Sequence, residues 1–146
     1  MEAHAQRIER MRKAYREAHN RFVARLRDAP EDLAARVPQD GGWSAVQIGW
    51  HVAAVDSTFA DLISGARPSL ALPQDFQERP WPELAAALPP RIDASRAVMP
   101  PSEVRRDEVM AALEAAAAKL EAALEGLAED RASRFGVTPF VCTGRN

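Results

Sequence analysis

Eight of the eleven prolines fall between residues 66 and 101. They are Pro68, Pro73, Pro80, Pro82, Pro89, Pro90, Pro100 and Pro101. Proline removes a backbone donor and clashes with the preceding turn, so this stretch holds no long helix and no central strand. The chain is therefore cut into long segments on either side of an extended crossover. A short helix from Pro82 to Leu88 is still allowed, because proline is tolerated in a first helical turn. No internal repeat and no strand-like alternation appears on either side.

Three flanking segments repeat their apolar residues at helical spacing. Over about residues 3–28, Ile8, Met11, Tyr15, Ala18, Phe22 and Leu26 fall at steps of three and four. The other faces carry eight basic and four acidic side chains, leaving −6 for the rest of a chain whose net charge is −2. Glu9–Lys13 and Glu17–Arg21 are spaced to pair along one face. A solvated helix face thus outweighs a polyanion-binding patch, and Pro30 ends the segment. The second helix is expected at 45–64. Ser44 and Gln47 have capping-box spacing, Trp43 and Ile48 have hydrophobic-staple spacing, and Gly65 stops it. Ile48, Val52, Val55, Phe59 and Leu62 are expected to face inward. The third helix, about 102–128, repeats Val109, Leu113, Ala116, Leu120, Ala123 or Leu124, and Leu127. Its many alanines favour helix and let neighbours approach closely. The long crossover lets the second and third helices run parallel.

The 146 residues suit one domain. A single cysteine, Cys142, forms no internal disulfide and fits a reducing compartment. The N-terminus is charged where a signal peptide needs an apolar stretch. No unbroken apolar run exceeds Leu84–Leu88, far short of the ~20 residues of a membrane span. These features predict a cytoplasmic protein without a membrane or nucleic-acid partner. There is no Gly-rich phosphate loop, no Cys-x-x-Cys and no nucleophile elbow.

His51 lies three residues after Ile48 and four before Val55, which predicts that it faces the core. A core histidine is either a hydrogen-bonded structural residue or a ligand. His19 lies beside the apolar stripe of the first helix, where it would sit at a boundary or face His51. Asp56 is about 140° round the helix from His51, at ~100° per residue, so the two are not expected to share a metal. Gln47 is one turn before His51 and is assigned to the cap. Trp50 and Trp81 either pack the crossover onto the bundle or line a substrate pocket.

The stretch Trp43-Ser44-Ala45-Val46-Gln47-Ile48-Gly49-Trp50-His51-Val52-Ala53 resembles the second-helix motif of the DinB-like superfamily. Arg134-Phe135-Gly136-Val137-Thr138-Pro139-Phe140 is similar to the turn that introduces that family's fourth helix. The resemblance implies an all-α, up-down four-helix bundle with a long crossover between helices two and three. It also implies a thiol-dependent transferase or a hydrolase using a divalent metal (zinc, nickel or iron) and a low-molecular-weight thiol. The family's metal set is one histidine of the second helix and a His-x-x-x-His pair of the fourth. His51 matches the first, with His19 as a weaker candidate, and the pair has no counterpart here. A fourth helix needs roughly 15–20 residues to span such a bundle, so a truncated one is expected, with a stub at 137–146. A groove left by that helix would be covered by a homodimer or another partner. The alternative is a non-catalytic interaction module or a truncated gene product.

Overall fold

The computed structural model describes residues 2–68, 74, 75, 77 and 79–129. Three long helices dominate: α1 (His4–Asp28), α3 (Ala45–Ser64) and α5 (Arg106–Glu125). The short helices α2 (Glu31–Ala34) and α4 (Trp81–Ala87) and a 3₁₀ turn (Arg96–Val98) lie in the connections. Among the described residues there is no strand. The fold is all-α. The Phe-Gly turn, the 137–146 stub and Cys142 lie outside the described residues.

Local chemistry sets the helix ends. Ala29 precedes Pro30 and is extended, which stops α1. The Arg106 guanidinium then donates to the carbonyl oxygens of Ala29 and Leu26, satisfying the end of α1 with a cation. At the start of α3, Ser44 Oγ accepts from the Gln47 backbone at 3.2 Å. Gln47 Oε1 accepts in return from the Ser44 N–H at 2.9 Å, completing the capping box. Gly65 closes α3 at φ 83°, a left-handed conformation that favours glycine. α5 begins four residues later than expected, after an extended Arg105.

The pairings fix the directions. Gly49 lies against Val109, and Lys119 pairs with Asp61 at 2.7 Å and with Ser57 at 3.0 Å, so α3 and α5 run parallel. Arg106 caps the far end of α1, and the His4 ring bonds Leu127 O at 2.8 Å, so α1 is antiparallel to both. Arg16 reaches Glu121 at 2.9 Å along the same seam. Glu9 pairs with Arg12 rather than Lys13.

The inward face of α3 differs from expectation. Val46, Gly49, Ala53 and Ala60 are buried there, while Ile48 is 41% exposed. Small residues win this face because they let α5 approach. A Cβ on Gly49 would stand 2.7 Å from Val109 Cγ1 and 3.0 Å from Leu26 Cδ2. Val109 and Leu113 are fully buried at this crossing. Val52 and Phe59 pack against the buried clusters as expected, while Val55 turns toward the crossover, where it and Phe59 help to line a pocket.

Candidate functional site: the His51 pocket

The pocket lies between α3 and the descending part of the crossover and encloses about 210 Å³. Its floor is His51, Val55, Thr58 and Phe59 of α3. Its roof is residues 92–95 and Val98, and Trp43 closes one end. The surface is mainly apolar, with a few polar groups at the wall and rim, as in small-molecule sites. Thr58 Oγ1 is turned back onto Ala54 O at 2.9 Å, so its proton is committed.

His51 is half-buried and faces this pocket, on the side of α3 away from its packed seam with α5. The expectation that it points into the helical core is therefore corrected. Rotation of α3 toward its small residues carries His51 to the crossover side. There its Nδ1 meets Val98 O at 2.7 Å. A carbonyl only accepts, so Nδ1 carries the proton. In the neutral ring Nε2 then keeps a lone pair, and it has no partner among the described residues. Trp43 holds the ring from its face, with centroids 4.9 Å apart and planes tilted 45°. This contact gives Trp43 a role beyond the staple position expected of it. Trp43 was not expected in the pocket, although its eight-residue spacing from His51 puts the cap and the second turn on one side.

Of the other expected site residues, Trp50 and His19 are not in this pocket. Trp50 lines a shallow groove of about 330 Å³ between α3 and α5, with Ala53, Ala54, Ser57, Ala112 and Lys119. Trp81 opens α4, and its side chain lies outside what is described. His19 stacks beside Tyr15 at 5.7 Å between ring centroids. Tyr15 donates to Asp56 Oδ2 at 2.7 Å, so His19, Tyr15 and Asp56 form a separate polar cluster between α1 and α3. Burial pushes the Asp56 carboxyl above its ordinary value of 3.8, against the Tyr15 hydrogen bond and the His19 charge. Burial and the Asp56 hydrogen bond raise the Tyr15 hydroxyl as well.

The sign of the Asp56 shift gives a test. The folded state holds this proton more tightly than the unfolded state, so stability from this group falls as pH rises above 3.8. Asp56→Asn removes the buried charge and keeps an acceptor for Tyr15. Its melting temperature is expected above wild type at pH 7, with the gap closing toward pH 4. A gap that widens in acid would contradict the assignment.

The donor set bears on a metal. Among the described residues, Asp93 is the other one of metal-ligating type that lines the pocket beside His51. Among the described residues no group of three His, Cys, Asp or Glu side chains could hold an ion. The described residues alone therefore do not fit a catalytic zinc site, which takes three protein ligands.

The family model of the DinB superfamily matches residues 14–143. The chain belongs to the DinB superfamily. Searches of curated proteins and of solved structures returned no match. In this DinB chain His51 of α3 sits in a roofed, mainly apolar pocket with Trp43 at its end. Among the described residues no helix is long and apolar enough to cross a membrane.

Proposed function

We propose that this DinB protein binds a small, largely apolar molecule in the His51 pocket, with Nε2 of His51 meeting its hydrogen-bond donor. The 2.7 Å bond from His51 to Val98 O carries this reading, because it commits one ring nitrogen and leaves the other as a base. Such a base takes a proton from a thiol, hydroxyl or water. The chemistry that follows is thiol transfer or hydrolysis. An apolar ligand body against Trp43 and Phe59 suits the lining. A divalent zinc, nickel or iron ion at His51 would need further ligands from outside the described residues or from a second copy in a homodimer. A non-catalytic binding module is the second reading, favoured by the lack of a three-donor group among the described residues.

The test uses a chain in which Trp50→Phe and Trp81→Phe leave Trp43 as the one indole. Benzyl mercaptan supplies an apolar ring and a thiol proton, and it is expected to quench Trp43 saturably. The same protein is assayed for bound zinc, nickel and iron. About one ion per chain or per dimer, lost on His51→Ala, supports the metal-dependent reaction. Thiol binding without an ion supports the pocket with His51 as a free base. Neither thiol binding nor an ion would overturn the proposal.

A further inference from the structure

Gln47 is only 9% exposed, and its carboxamide has two jobs. Oε1 accepts the Ser44 N–H at 2.9 Å, which is the capping box. Nε2 donates to Pro101 O at 3.0 Å and lies 3.5 Å from Ser102 O. A glutamate performs the first job equally well, since the box takes either residue. Only an amide performs the second at neutral pH, because a carboxylate is acceptor-only and would face two carbonyl oxygens.

His51 stands one helical turn after Gln47, on the same side of α3. It holds Val98 O, three residues before Pro101. Two donors one turn apart thus grip two carbonyls of the same stretch of the crossover. One such bond fixes a point about which the chain pivots, and a second removes most of that freedom. The roof over the pocket is the chain that runs into this grip, residues 92–98.

We propose that Gln47 is a positioning residue for the His51 pocket. Its carboxamide joins the helix cap to the pocket roof and sets the register in which Val98 O meets His51 Nδ1. The inference rests on the His51 pocket being the ligand site, but its test needs no ligand.

Gln47→Glu keeps the cap and deletes the donation to Pro101. At pH 7 the backbone amides of Val98 and Met99, bonded to Ser95 O and Arg96 O, are expected to exchange about tenfold faster than in wild type. The His51 Nδ1 proton is expected to exchange faster as well. The amide of residue 47, bonded to Ser44 Oγ, keeps its protection. Acidification protonates the introduced carboxylate, whose neutral form again donates to Pro101 O, so Val98 and Met99 regain protection. A purely capping role would not produce that recovery. Unchanged exchange at Val98, Met99 and the His51 ring overturns the proposal. Wild-type protein gives a check that does not depend on the variant folding. The Gln47 side-chain amide protons should exchange more slowly than those of exposed Gln39, and equal rates also overturn it. If exchange changes as expected but benzyl mercaptan does not bind, the clamp stands and the ligand reading fails.

Discussion

Gly49→Ala will destabilise the protein by about 1–3 kcal/mol, the usual cost of an added methyl in a well-packed core. The direction is opposite to helix propensity, which favours alanine over glycine by about 1 kcal/mol in a helix interior. Space decides the sign. The new Cβ would stand 2.7 Å from Val109 Cγ1, and Val109 is 1% exposed with no room to retreat. Its β-branch leaves few rotamers in a helix. On the other side Leu26 Cδ2 is 3.0 Å away. Gly49 therefore sets the distance between α3 and α5 at this crossing. Urea unfolding of Gly49→Ala, Val109→Ala and the double variant would measure this. The double variant should be more stable than the sum of the single losses predicts, since Val109→Ala opens the space that the added methyl needs. Additive losses, or a Gly49→Ala midpoint at or above wild type, would show that the close approach is not limiting.

His51→Ala will weaken benzyl mercaptan binding by about tenfold or more while lowering folding stability by only about 1 kcal/mol. The two effects separate because His51 is half-buried and lies off the α3–α5 core. Its one hydrogen bond among the described residues is to Val98 O at 2.7 Å, and the partner lies in the crossover. Losing that bond releases the roof and removes the pocket's free imidazole nitrogen together. Trp43 also loses the ring it stacks on, so its emission should shift before any ligand is added. A variant that binds the thiol as well as wild type would place the ligand elsewhere. A variant that unfolds would make His51 a core residue, as its spacing first implied.

That spacing shows what the sequence can and cannot express. The prolines of 66–101 required a long crossover, and a long crossover allowed the parallel α3–α5 pair that the Asp61–Lys119 bridge records. Ser44, Gln47 and Gly65 marked the ends of α3, because caps depend on neighbours a few residues away. The rotation of α3 was not legible. Apolar periodicity weighs side-chain bulk, and it selected Ile48 and Val55 together with Val52 and Phe59, which do pack against the buried clusters. Close helix packing instead selects for little bulk, and it selected Gly49, Ala53 and Ala60. The anchoring of His51 was not legible either. Its partner is a backbone carbonyl 47 residues away in irregular chain, and a carbonyl leaves no trace in residue identity. Trp43 and Gln47 were visible as cap residues. Their second roles depend on where the crossover lands.

The chemistry of the pocket turns on which nitrogen of His51 carries the proton. Nitrogen NMR of the imidazole ring, in wild-type protein at a pH where the ring is neutral, reads this directly. The structure predicts the Nδ1–H tautomer, with a slowly exchanging Nδ1 proton bonded to Val98 O and an unprotonated Nε2. An Nε2–H tautomer, or a ring that averages between the two, would mean that Val98 does not hold the imidazole. The pocket would then have no oriented base.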